Sequence, residues 1–248
     1  LDGGTGDDTM DGGADVDTVD YSDAAAGITA NMFSGDVSDD GDGGSDDISN
    51  IENLIGSDFA DDVIGNNSDN DIQTGAGNDT LRGRAGDDRL DGGADTDTVS
   101  YSLAVGSVTA DLQAGTTTND GDGGTDTLIG IENLEGSVNN DTLYGDGGDN
   151  TISGLTGDDT IRGRGGDDVL DGGAGSDTAD YTTAAAGVTV DLSANAASDD
   201  GDGGSDTLTD IENISGSSDD DSITGDSEDN MLSGNGGADT LIGGAGSD

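Results

Sequence analysis

Aspartate recurs in this sequence at a fixed interval. Asp79, Asp88 and Asp97 are nine residues apart, as are Asp159, Asp168 and Asp177, the pair Asp8 and Asp17, and the pair Asp239 and Asp248. Each closes a short run rich in glycine, such as GRAGDD at 83–88 or GRGGDD at 163–168. Glycine accepts positive φ and lets backbone approach closely, so such a run can turn tightly and aim its carbonyls inward. A carboxylate at the end of that turn completes an oxygen-only donor set. Sets of this kind suit calcium, which takes six to eight oxygens, several of them neutral carbonyls. The turn carbonyls near Gly3, Gly6, Gly77, Gly83, Gly86, Gly154, Gly157, Gly163, Gly166, Gly172, Gly175, Gly234, Gly237 and Gly243 are the candidate donors beside these ten aspartates.

The elements that must position those groups are legible as two nested periods. Nonapeptides begin at residues 3 and 12, at 56, 65, 74, 83 and 92, at 136, 145, 154, 163 and 172, and at 216, 225, 234 and 243. Their first position is glycine in all but Thr74, and their sixth is Asp except at Asn70, Asn150 and Asn230. The eighth is apolar in every complete copy, from Met10 to Leu241. The first six residues therefore read as a turn and the last three as a minimal strand with one inward side chain. Around this runs a period of 80 residues, marked by Tyr21, Tyr101 and Tyr181 and by the Ile-Glu-Asn triplets at 51, 131 and 211. The expected organisation is one continuous repeat solenoid over 1–248, with the end of a unit at 1–20 and units at 21–100, 101–180 and 181–248, the last truncated. Within each unit a modified strand segment (21–55, 101–135, 181–215) precedes a nonapeptide block (56–100, 136–180, 216–248). The closing LIGGAGSD restarts the phase of the opening LDGGTGDD, as in a piece of a longer tandem array.

Composition narrows the chemistry. There are 57 acidic and 5 basic residues, a formal charge of −52, and leucine, isoleucine, valine and phenylalanine make up only 17% of the chain. Taken alone that is the signature of disorder, since little apolar surface is available to offset self-repulsion. The absence of cysteine, histidine and lysine removes a disulfide framework, the usual zinc ligand, the usual general base and the Schiff-base amine. Phosphate would be repelled, so no nucleic acid is expected as partner. No apolar run approaches membrane-spanning length, so no membrane insertion is expected, and no basic stretch followed by an apolar one marks a signal peptide.

The modified segments carry weaker signals. GITANM, SVTADL and GVTVDL alternate as short strands do, and GDGGSDDIS, GDGGTDTLI and GDGGSDTLT return to the nonapeptide pattern with Asp46, Asp126 and Asp206 at position six. These three, with Asp61, Asp141 and Asp221, form a second rank of candidate ligands. In GSDFAD (56–61) Phe59 replaces the glycine of the turn and puts a site there in doubt. Asn70, Asn150 and Asn230 fit either weaker ligands or turn formers. An EF-hand reading of SDDGDG fails on its first position, Ser38, and on the missing twelfth-position glutamate. Tyr21, Tyr101 and Tyr181 read as packing for a wider coil, the arginines as partners of nearby aspartates, and Glu52, Glu132 and Glu212 as structural, since no second acid recurs with them at a catalytic spacing. A partial row of threonines at position seven is broken by Arg89, Val169 and Met231, which weakens an ice- or glycan-binding reading.

GGTGDDTMD (3–11), GRGGDDVLD (163–171) and GGAGSDTAD (172–180) resemble the RTX, or haemolysin-type, calcium-binding repeat G-G-x-G-x-D-x-U-x, as that motif is generally written. The resemblance implies an all-β fold, a right-handed parallel β-roll or β-solenoid stacked along one axis with calcium ions in the turns. Two nonapeptides would make one coil, and Asp79 would then pair with Asp97 and Asp159 with Asp177. About one Ca²⁺ per well-formed turn, ~12 ions, would halve the charge deficit, and at ~4.8 Å per coil the rod would be roughly 65 Å long. The expected protein is no enzyme but a secreted bacterial structural segment: a rod, adhesin stalk, surface-layer or filament subunit, self-associating or not, that leaves the cell unfolded and folds in external calcium. The alternative is the calcium-binding C-terminal region of a secreted protease, lipase or epimerase.

Overall fold

A computed structural model describes residues 1–248. Its regular elements are strands three or four residues long, joined by turns, with one 3₁₀ turn at Leu192–Ala194. Such strands are short because the repeat allots three residues to each, and only the middle one faces inward. Val63, Ile72, Leu81, Leu90 and Val99, all at position eight, are fully buried, as are Leu143, Ile152, Ile161, Leu170 and Ala179.

The chain divides into two compact units, Leu1–Ala104 with Gly115–Asn133, and Val105–Ala114 with Leu134–Asp248. In the first, one sheet runs in the order Thr9–Asp11, Asp46–Ser49, Asp36–Asp39, Thr29–Asn31, Asp62–Ile64, Thr80–Arg82, Thr98–Ser100. The other runs Thr18–Asp20, Asn53–Ile55, Asp71–Gln73, Arg89–Asp91, Asp126–Ile129, Thr116–Asn119. In the second unit, Thr109–Asp111, Thr142–Tyr144, Thr160–Arg162, Thr178–Asp180, Asn213–Ser215 and Met231–Ser233 share one sheet. The strand ending at Glu135, with Thr151–Ser153, Val169–Asp171, Asp206–Thr209, Ala196–Asp199, Thr189–Asp191, Ser222–Thr224 and Thr240–Ile242, forms the other.

Within the nonapeptide blocks the ladder is parallel and every partner is eighteen residues away: Val63 pairs with Leu81 and Leu81 with Val99, Leu143 with Ile161 and Ile161 with Ala179. Two nonapeptides thus make one coil, and the architecture is a parallel β-roll. The modified segments depart from it. GITANM and GVTVDL are strands, as their alternation predicts, but each is followed by an antiparallel partner that the pattern does not announce. Asp36–Asp39 lies antiparallel to both Thr29–Asn31 and Asp46–Ser49, so three strands of one sheet stand where a plain coil contributes one. Thr116–Asn119 and Ala196–Asp199 do the same against Asp126–Ile129 and Asp206–Thr209. These hairpin strands bury a single side chain each, Val37, Thr117 or Ala197, all wholly inaccessible. One inward residue of changing chemistry leaves no periodicity to detect.

The strand count per 80 residues has a geometric result. Taking a meander as one step, each copy alternates between the sheets an odd number of times, so successive meanders fall in opposite sheets. In the first unit Thr29–Asn31 and Thr116–Asn119 lie in different sheets, and so do Thr109–Asp111 and Thr189–Asp191 in the second.

Position-eight burial fails only at the last strands. Leu241 is 46% exposed, on the terminal strand of its sheet. Leu170→Ala should therefore cost about 2–5 kcal/mol of stability in calcium, and Leu241→Ala less than half as much, as read from urea unfolding of the two variants.

Candidate metal centre

The turns that begin at residues 3, 12, 74, 83, 92, 154, 163, 234 and 243 are each shaped by two residues with positive φ, whereas those that begin at 56, 65, 136, 145, 216 and 225 have none. In 83–88 the two are Arg84 (φ 74°) and Gly86 (φ 127°). The curl brings Asp88 back over Gly83, where an added Cβ would overlap Asp88 Oδ2. Position one is thus glycine for lack of room, while position four is glycine for its dihedral and because a Cβ on Gly86 would lie 2.7 Å from the Ser68 carbonyl, one coil away. Thr74 is the exception at position one, and its hydroxyl donates to the Gly92 carbonyl at 3.1 Å.

The position-six carboxylates stitch consecutive coils. The Asp61 amide donates to Asp79 Oδ1, and the Asp79 amide to Asp97 Oδ1, both at 2.8 Å. In the second unit the Asp141 amide donates to Asp159 and the Asp159 amide to Asp177, both at 2.7 Å. The expected pairings of Asp79 with Asp97 and of Asp159 with Asp177 are these bonds. At the end of each block a glutamate takes over: Glu52, Glu132 and Glu212 accept from the amides of Asp17, Asp97 and Asp177 at 3.0, 2.9 and 2.8 Å. A longer side chain replaces aspartate there because the partner follows at 35 residues, not 18. A second ladder runs the other way along the turn surface, through position five. The Asp87 amide donates to Asp69 Oδ1 at 3.0 Å and the Asp167 amide to Asp149 at 2.9 Å.

One carboxylate oxygen is used in each stitch, and the second separates the candidates into two groups. Oδ2 of Asp17, Asp79, Asp88, Asp97, Asp159, Asp168 and Asp177 is buried with no hydrogen-bond partner. A buried ionised oxygen without a donor is costly, and seven recurring in register are better explained as facing a cation. Asp8 and Asp239 hold the same place half-buried, and Asp248 exposed. The second-rank aspartates are satisfied by protein. Tyr21, Tyr101 and Tyr181 donate their hydroxyls to Oδ2 of Asp46, Asp126 and Asp206 at 3.0, 3.0 and 2.8 Å. Ser57 donates its amide to Asp61 Oδ2 and its hydroxyl to Oδ1, at 2.8 and 2.7 Å, and Ser137 and Ser217 repeat this at Asp141 and Asp221. The asparagines staple turns: Asn70 Oδ1 accepts the Asn66 amide at 2.8 Å while Nδ2 donates to the Glu52 carbonyl at 2.9 Å.

No three acidic side chains converge on one point, so a cation held here draws one or two carboxylates and fills its shell with turn carbonyls. The residues present fit calcium: an orphaned carboxylate oxygen, a glycine-lined turn and no nitrogen or sulfur donor. Arginine neutralises little of this charge and does so away from the turns. Arg89 bridges Asp71 and Asp91 at 2.8 and 2.7 Å, Arg164 meets Asp111 at 2.8 Å, Arg82 pairs with Asp62, Arg162 with Asp180, and Arg84 stacks over Phe33.

Without a cation these carboxyls resist ionisation. Burial, followed by the field of neighbouring acids and opposed by the amide bonds, pushes Asp88, Asp97 and Asp159 up to about 7 and Asp168 and Asp177 to about 6. Asp79 moves the same way, chiefly through burial.

A family model for the RTX calcium-binding nonapeptide repeat, in four copies, matches residues 1–23, 64–99, 129–155, 144–179 and 215–248. No curated protein matches the chain.

An aspartate in the unfolded chain ionises near pH ~3.9. Between that pH and 6–7 the folded, metal-free chain holds more protons than the unfolded one, so its stability falls as pH rises. Metal-free protein should be most resistant to urea near pH ~4 and weakest near pH ~8. Calcium affinity should rise across the same interval, with proton release on binding, which calorimetry in buffers of different ionisation enthalpy would measure.

Proposed function

Because this chain belongs to the RTX calcium-binding nonapeptide repeat family, whose repeats bind several Ca²⁺ ions in their turns, we propose that it is a load-bearing structural segment of a secreted bacterial protein. In this role it is a spacer or stalk that folds outside the cell, where calcium is plentiful. The observation that carries the reading is the unbroken 80-residue register, in which Tyr21, Tyr101 and Tyr181 each donate to the aspartate 25 residues further on. A spacer needs such repetition; a catalyst needs one distinctive place. The absence of histidine, lysine and cysteine supports a non-catalytic role, and so does the way every strongly perturbed aspartate recurs as part of the coil lattice.

Calcium acts here as counter-charge and staple. It supplies positive charge and coordination to Oδ2 oxygens that the protein leaves without donors, and the chain supplies the turn that holds them in register. Ion binding and folding then share one free energy. Chelator-treated protein at pH 8 should lose its β-type far-UV circular dichroism and recover it cooperatively as calcium is added. A spectrum indifferent to chelation would sink the folding claim. Single-molecule extension of the chain should show unfolding forces that collapse on chelation; forces that are low and unchanged by calcium would count against a load-bearing role.

A further inference from the structure

The repeat register assigns no ligand role to the residue that opens each DGDGG turn, yet that residue is enclosed almost completely in every copy. Asp40, Asp120 and Asp200 are 1%, 0% and 0% exposed. One oxygen of each is held by the turn itself. Asp120 Oδ1 accepts the amides of Asp122, Gly123 and Gly124 at 2.8, 2.7 and 2.9 Å, Asp200 Oδ1 those of Asp202, Gly203 and Gly204 at 2.8, 2.8 and 2.9 Å, and Asp40 Oδ1 those of Asp42 and Gly44 at 2.8 and 2.9 Å. The other oxygen, Oδ2, is buried in all three copies and has no hydrogen-bond partner.

Its direction is set by the neighbouring coil. A Cβ on Gly124 would lie 2.8 Å from Asp120 Oδ2 and would overlap the carbonyl oxygen of Gly86. The same two groups meet at Gly204, from Asp200 and Gly166, and at Gly44, from Asp40 and Gly6. A carboxylate oxygen and a carbonyl oxygen, both acceptors, thus face one small space that no side chain fills. Asp88, whose own Oδ2 is orphaned, is close enough to feel the charge of Asp120, and Asp168 that of Asp200. Nothing in the protein offers these oxygens a proton, and converging acceptors of this kind are what a calcium ion joins.

We propose that Asp40, Asp120 and Asp200 are calcium ligands, forming with the carbonyls of Gly6, Gly86 and Gly166 one additional cation site per 80-residue unit. The site lies where the meander meets the nonapeptide block, so the ion staples the irregular part of each unit to the regular part. Asp46, Asp126 and Asp206 beside it have a protein partner on each oxygen and act as supports.

The test counts ions on the whole 248-residue chain, and so does not depend on whether the array is a spacer. Asparagine keeps an oxygen for the turn amides while removing the charge. Equilibrium dialysis should find three fewer calcium ions bound by the D40N/D120N/D200N variant. The control D42N/D122N/D202N, which removes equal charge from the same turns, should bind the full number. Equal numbers in both variants would overturn the proposal. Should the first variant not fold in calcium, crystals of the unaltered chain grown with terbium decide the matter. An anomalous peak bonded to Asp120 Oδ2 supports the site; a water or empty density there, with peaks at the nonapeptide turns, overturns it.

Discussion

The whole structure depends on a carboxylate that is asked to do two things at once. Its first oxygen accepts an amide from the adjacent coil and fixes the spacing of the stack. Its second is carried into the turn interior by the same bond, with nothing from the protein to meet it. In a chain of charge −52 this is a standing repulsion, and no amount of side-chain packing at one inward residue per strand could outweigh it. On the reading proposed above the fold is conditional: hydrogen bonding brings the acids into register, and a divalent ion makes that register tolerable. The raised pKa values of Asp88, Asp97 and Asp159 are the metal-free form of the same statement, a proton standing where the cation would.

Around this constraint the other residues have simple tasks. Glycine at the first position clears space for the returning carboxylate, and glycine at the fourth allows one turn to rest on the backbone of another. The tyrosines mark the places where the lattice is interrupted. Each puts a hydroxyl on an aspartate that would otherwise repeat the unmet demand of its neighbours, and its own ionisation is suppressed by burial and by that acid. The glutamates do the corresponding work on the amide side, spanning the longer gap after a meander.

Much of this could be read from the residues alone, and the boundary between what could and could not is physical. The nonapeptide register predicts the turn, the inward residue and the eighteen-residue stacking, because identical short-range requirements recur in every copy. The second oxygen of Asp79 and that of Asp61 cannot be told apart by register: both stand at position six, but Ser57 reaches only one of them. Asp36–Asp39, Thr116–Asn119 and Ala196–Asp199 carry no sequence signal because a strand needing one buried side chain accepts valine, threonine or alanine. In the sequence Asp40 stands only as the third residue of an EF-hand-like loop whose first position, Ser38, does not fit. Its significance appears only when the meander folds back and encloses it.

The alternation of meanders between sheets separates the chemical repeat of this chain from its spatial one. Two adjacent copies are nearly the same in composition, yet within each compact unit their meander strands belong to different sheets. A receptor that recognises a hairpin together with the strands beside it in the sheet would therefore meet a different setting in the next copy.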